Sequence, residues 1–301
     1  MKAHAADATT VPTTKAVSER RALDFLALTK PRLNMLVLIT TLGGLYLASP
    51  SGVPVLLVAH TLIGTALVAG GAAALNQVWE RETDARMRRT SNRPLPRGRL
   101  SVGESIWFGI GLSAAGLADL ALATNPTAAI VAAVTSISYV LIYTPLKTRT
   151  SLATLVGAVP GALPPVIGWA AASGVITLPA LVLFGIVFFW QMPHFLAIAW
   201  MYRDDYARAG IRMLPVVEPD LDSTARRILW FSVVLVPLSL APKFMSMAGN
   251  VYLIGAILLS AFVLYTGLQA MIVRTMPSAR RVLLASIVYL PILYGLLAFD
   301  S

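Results

Sequence analysis

The sequence predicts an all-α membrane protein of nine transmembrane helices, with its N-terminus in the cytoplasm and its C-terminus outside. Three observations carry this expectation. Hydrophobic residues fill 57% of the 301 positions and charged residues only 13%, more apolar surface than a water-soluble domain of this length can hide. Nine apolar stretches each reach the length of about 20 residues that a spanning helix needs. Every Lys and Arg except Lys243 falls in the N-terminal segment or in a loop after the second, fourth, sixth or eighth stretch. Cytoplasmic loops collect Lys and Arg, so this asymmetry sets the topology, and moving any helix would destroy it.

The first two spans, 32–49 and 54–78, are joined by a short, nearly uncharged turn at 50–53. A long loop rich in Arg and Asp, 79–102, leads to the third span at 103–123, and an outer turn at 124–126 to the fourth at 126–144. The fifth, 152–172, contains Val159-Pro160-Gly161-Ala162-Leu163-Pro164-Pro165 and must kink or break, because each proline removes a donor and clashes with the preceding turn. After a turn at 173–177 comes the sixth span, 178–200, and then a second long charged loop, 201–227. The last three spans are 228–246, 250–272 and 281–299. Residues 1–24 read as a polar, disordered cytoplasmic tail, and 25–301 as one domain in which spans one to four and five to eight form a parallel pseudo-repeat, with the ninth added. Small residues at 70–74, 111–116 and 157–161 suit close helix packing.

The net charge of +10 is a topology signal, with anionic lipid of the bilayer as a secondary partner. No aromatic-basic platform accompanies it, which argues against nucleic acid. The absence of cysteine excludes disulfides, thiolate metal sites and a cysteine nucleophile.

The second span runs into Asn76-Gln-Val-Trp-Glu80-Arg-Glu82-Thr-Asp84. Asn76, Glu80 and Asp84 are spaced i, i+4, i+8 and drift only about 80° around a helix, so they share one face. Their oxygens suit a hard cation such as Mg2+, which in turn suits a diphosphate. The plain alternative is a charged juxtamembrane turn in which Glu80 and Asp84 pair with Arg81 or Arg88. Asp204 and Asp205 stand at the equivalent helix end of the other half, which suggests metal sites converging over one cavity. Candidate phosphate-binding cations follow these clusters: Arg89 and Arg93, then Lys147 and Arg149, then Arg208 and Arg212, with Arg32 at the head of the first span. Of the three histidines, His4 lies in the tail and His60 is expected to face a polar neighbour. His194, in a helix interrupted by Pro193, suits either iron ligation or a hydrogen bond to a substrate carboxylate.

The segments Leu28-Thr-Lys-Pro-Arg32, Asn76 to Asp84, Met87 to Pro94, Tyr143-Thr-Pro-Leu-Lys147, Trp190-Gln-Met-Pro-His194-Phe and Tyr202-Arg-Asp-Asp-Tyr206 through Pro215 resemble the heme-farnesylating branch of the UbiA-type intramembrane prenyltransferases. The resemblance spans about 25 to 298. It implies nine helices around a central cavity, and Mg2+ held by Asn76, Glu80, Asp84 and by Asp204 or Asp205. The superfamily's second acidic motif falls on Tyr202 and Tyr206, so its acids are replaced here. The resemblance further implies farnesyl transfer from farnesyl diphosphate to heme B, with Tyr143, Tyr202, Tyr206 and His194 toward the heme. It implies a bacterial inner membrane rather than a mitochondrial one, and a heme A synthase or oxidase assembly factors as partners. A quinone-precursor or chlorophyllide prenyltransferase, a secondary transporter and a non-catalytic assembly factor are the rivals. A transporter would place its ionisable groups near the bilayer midplane, whereas these acids sit at helix ends.

Overall fold

A computed structural model describes residues 14–49 and 52–301, and no strand occurs among them. Of the disordered tail expected at 1–24, residues 1–13, including His4, lie outside the described residues, and residues 14–24 are instead helical, part of α1 (Thr14–Leu28). Helix α2 (Pro31–Leu47) follows at a bend of 46°. The break has a local cause: Pro31 has no amide hydrogen and so begins a helix, and Lys30 before it takes the left-handed conformation at φ 49°.

Helix α3 (Val55–Arg86) is 32 residues long. At 1.5 Å per residue it measures about 48 Å, well beyond an apolar core of about 30 Å. The helix therefore continues past the expected end at 78 and carries Glu80 and Asp84 on regular backbone. Helix α4 (Val102–Ala123) starts at a capping box of Ser101 and Glu104. Helix α5 (Pro126–Ile137) is capped by the Asn125 side chain and passes into a π-helical stretch, Ser138–Tyr143, and a short α6 (Thr144–Leu146). Helices α7 (Ala153–Ala162) and α8 (Pro164–Ser173) divide the fifth span at Leu163, where the prolines place the break. Helix α9 (Leu178–Met201) is followed by the surface turns α10 (Arg203–Arg208) and α11 (Leu214–Val217). Helices α12 (Asp222–Phe244), α13 (Asn250–Val273) and α14 (Met276–Phe299) complete the chain.

Eight of these spans are individually long and apolar enough to cross a membrane, and the bent pair α1–α2 supplies a ninth. Large apolar side chains such as Leu56, Ile254, Leu258 and Ile272 stay exposed, as they do on a lipid-facing surface. The molecule is a multi-pass membrane protein.

Small residues bring the helices together. A Cβ on Gly71 would strike the Gly109 carbonyl and Ser113 of α4, and one on Gly168 of α8 would strike the Thr41 carbonyl of α2. The main core centres on Leu183, Ile186, Trp190, Tyr289 and Leu293. A smaller cluster of Met87, Ala199, Tyr206, Ile211 and Met213 fastens the loop after α3 to the end of α9 and the turns beyond it. That clasp brings the two long charged loops together. His60 meets Asp119 of α4 at 2.7 Å, the polar neighbour its sequence context called for.

Candidate active site

The polar face of α3 forms the centre of the site. Asn76 and Asp84 are fully buried and Glu80 is largely so. Asn76 is held from two sides: its Oδ1 accepts from Lys30 Nζ at 2.7 Å and its Nδ2 donates to Thr144 Oγ1 at 2.9 Å. Thr144 in turn donates to the Tyr139 carbonyl at 2.8 Å. Such π-helical turns inside α-helices recur at functional sites. This one sets Tyr139 beside Tyr143, ring centres 5.5 Å apart and planes tilted by 37°, one turn before Lys147. A Cβ on Gly157 would enter the Tyr143 ring, so the glycine sets how closely α7 approaches it.

Glu80 accepts from Lys147 Nζ at 2.5 Å, and the same ammonium lies 4.4 Å from the centre of the Tyr143 ring. Burial alone would lower the Lys147 pKa, but the neighbouring Tyr143 oxygen and the Glu80 carboxylate hold it above its ordinary value. Asp84 accepts from Arg93 at 2.7 Å through Oδ2. Neither acid takes the local partners Arg81 or Arg88; Arg81 pairs with Glu82 instead. The cations come from other parts of the chain, so the ion pairs tie the loops to the α3 face.

The second acidic cluster divides. Asp205 is buried, pairs with Arg208 and accepts from the Arg88 amide at 3.3 Å. The Asp204 side chain is 85% exposed with only Arg203 at 3.6 Å, so the structure does not bring it to α3. Successive residues of a short helix point in different directions, and only one of the pair can face inward. No three His, Asp or Glu side chains gather within metal-binding range among the described residues. The five-residue metal site expected from sequence is therefore not assembled as one cluster, and each inward carboxylate rests on its own cation. An all-oxygen donor set remains on α3, and Asp84 Oδ1 is buried with no hydrogen-bond partner. A buried carboxylate oxygen left bare is costly unless a cation meets it, so the face formed by Asn76, Glu80 and Asp84 fits a hard cation at its Asp84 end. The Asp204–Asp205 pair does not fit a second.

Arg89 hydrogen-bonds the Tyr206 hydroxyl at 3.4 Å and lies 5.3 Å from the centre of the Tyr202 ring. Arg212 is exposed, although its amide donates to the Lys147 carbonyl at 2.9 Å; Arg149 and Arg32 are exposed too. The sequence reading missed Lys30, which donates to Asn76 two residues before the candidate cation Arg32. The signal was present in Lys30-Pro31, since a proline that starts a helix puts the preceding residue in a tight elbow. His194 points to α14, where its Nδ1 meets Ser286 Oγ at 2.9 Å. A cavity of about 690 Å3 opens elsewhere, between α1, α2, α3 and α4, and is lined by Phe25, Leu26, Met35, Leu67, Phe108 and Leu112.

The fold and this face define a class, helical membrane proteins with acids and cations interleaved at helix ends. Its fold is that of a digeranylgeranylglyceryl phosphate synthase in membranes, with a TM-score of 0.80 at 17% identity over 93% of this chain and 98% of that one. It is likewise that of a UbiA homologue from Archaeoglobus fulgidus bound to GPP and Mg2+, with a TM-score of 0.65 at 17% identity over 91% and 99%. The UbiA prenyltransferase family model matches residues 37–290, and the chain belongs to that family. A protoheme IX farnesyltransferase of Solibacter usitatus (strain Ellin6076) is 49% identical over 286 residues, covering 92% of this chain and 98% of its own.

Proposed function

We propose that this protein transfers the farnesyl group of farnesyl diphosphate to a vinyl group of heme B, with addition of water, giving heme O and diphosphate. Residues 25–301 act as one catalytic domain in a bacterial inner membrane, with the acid-bearing end of α3 toward the cytoplasm. The observation that carries this reading is the buried Asn76–Glu80–Asp84 face, enclosed by Lys30, Lys147 and Arg93. The relative at 49% identity supports heme as the acceptor.

Mg2+, when held by Asn76, Glu80 and Asp84, supplies neutralisation of the leaving diphosphate. The chain's own cations act on the same group: Lys30, Lys147 and Arg93 stabilise the charge that accumulates as the bond between farnesyl C1 and oxygen breaks. The vinyl π electrons of heme then form the new carbon–carbon bond at C1. The cation left beside the macrocycle takes up water, which releases a proton and leaves a hydroxyfarnesylethyl group. No strong base is needed for the bond-forming step, consistent with the lack of a nucleophile–base pair on the α3 face. The apolar helices exclude water until that point. Tyr143, Tyr202, Tyr206 and His194 lie toward the heme in this reading.

Mass spectrometry of heme extracted after incubation of the purified protein with farnesyl diphosphate, Mg2+ and heme B tests it. The expected product is heme O, and Asp84→Ala should lower its rate by on the order of 10²–10³. Wild-type protein that leaves heme B unchanged while prenylating a quinone precursor would overturn the acceptor. A well-folded Asp84→Ala variant of normal rate would overturn the metal assignment.

A further inference from the structure

We infer that His194 ligates the heme iron through Nε2, with Ser286 as the positioning residue that fixes its tautomer. This rests on the proposed function and deepens it. The sequence leaves two uses for His194, a metal ligand or a donor to a substrate carboxylate, and the hydrogen bonds around it separate them.

Ser286 Oγ lies 2.7 Å from the Leu283 carbonyl, an atom that can only accept. The single hydroxyl hydrogen of Ser286 is therefore committed to that carbonyl. The contact of 2.9 Å between Ser286 Oγ and His194 Nδ1 then requires the histidine to donate. Nδ1 carries the hydrogen, and Nε2 of the neutral ring carries a lone pair. That tautomer has no hydrogen on Nε2 to give to a carboxylate, but it presents the atom that binds iron. Metal-ligating histidines ordinarily have this arrangement, with the second ring nitrogen donating to a fixed oxygen.

Two aromatic side chains hold the ring. Trp190 stacks on one face, with ring centres 5.3 Å apart and planes at 26°, and Phe195 meets it edge-on at 5.5 Å. Imidazole binds a metal in its own plane, so a stacked neighbour leaves Nε2 free. Trp190 is itself fixed by Nε1 donating to the Ser286 carbonyl at 2.7 Å. One buried serine on α14 thus orients both rings on α9. The depth agrees as well: Ala199 packs with Met87, and His194 is five residues deeper on its helix, about 7.5 Å, near the level of Glu80 and Asp84 on α3.

The competing account is an ordinary interhelical hydrogen bond between α9 and α14. Full-length protein in detergent, loaded with ferric heme B alone, distinguishes them by absorption and electron paramagnetic resonance spectra. Wild type should show an imidazole-ligated iron. His194→Asn and His194→Gln keep a group able to bond Ser286 but should lose that signature, and imidazole added to His194→Gly should restore it. Ser286→Ala keeps the ligand, and heme affinity should fall by on the order of tenfold, as for loss of an outer partner of a ligating histidine. A wild-type spectrum in whichever of His194→Asn or His194→Gln folds overturns the inference. Heme O production by wild type is followed in parallel. Its absence refutes the proposed function, whereas its presence together with an unchanged variant spectrum refutes the iron ligand alone.

Discussion

The ion pair between Glu80 and Lys147 offers a direct measure of how α3 is tied to the loop after α6. The charges are 2.5 Å apart and their side chains are only 12% and 14% exposed. At an effective dielectric of about 20 their gross attraction is roughly 7 kcal/mol, opposed by a desolvation cost of several kcal/mol for each ion. The pair as a whole is then close to neutral relative to apolar side chains of similar shape. Removing one partner is different, because it leaves a buried charge without compensation and should cost about 3–5 kcal/mol. Lys147→Met and Glu80→Gln should each destabilise by that amount, and the double variant should recover most of the loss. The assay is thermal unfolding of the detergent-solubilised protein for the four members of the cycle. Additive losses, or single variants within about 1 kcal/mol of wild type, would refute a tightly coupled buried pair.

Three further outcomes follow from the same geometry. Asp204→Ala should change stability by less than about 0.5 kcal/mol and leave heme O formation near wild type, whereas Asp205→Ala frees Arg208 and the Arg88 amide and should cost about 1–3 kcal/mol in thermal unfolding. Gly168→Ala puts a methyl group onto the Thr41 carbonyl and should destabilise by about 1–3 kcal/mol or more, with Gly103→Ala, which meets open space, as the control. Lys147 has a raised pKa in the folded protein, so its stabilising contribution is complete below the unfolded value near 10.4 and fades only as pH rises through the higher folded value. Unfolding curves of wild type against Lys147→Met should therefore differ by a constant amount between about pH 6 and pH 9; a difference that shrinks in this window would contradict the raised pKa.

The spans were legible in the sequence because a bilayer demands long apolar runs, and the break at Leu163 because proline has a local, unavoidable effect. The shared face of Asn76, Glu80 and Asp84 was legible for the same kind of reason, since helical spacing fixes direction. What spacing could not reveal was which cation would meet which acid. Lys30 is 46 residues from Asn76, and Lys147 is 67 from Glu80, so those pairings depend on the packing of separate helices. The π-helical turn before Lys147 was also hidden, because one extra residue per turn leaves no compositional trace. Asp204 and Asp205 were equivalent on paper, and only the direction of α10 separated them.

The length of α3 has a consequence for what becomes of reaction products. Asp84 is two residues from the end of the helix and Asn76 ten, so this face rises about 15 Å from the helix end to the edge of the apolar span. A bond broken along such a slope parts its fragments by solubility. The ionic piece descends toward water past arginines, the greasy piece stays among hydrocarbon chains, and neither has to cross the other's medium to depart.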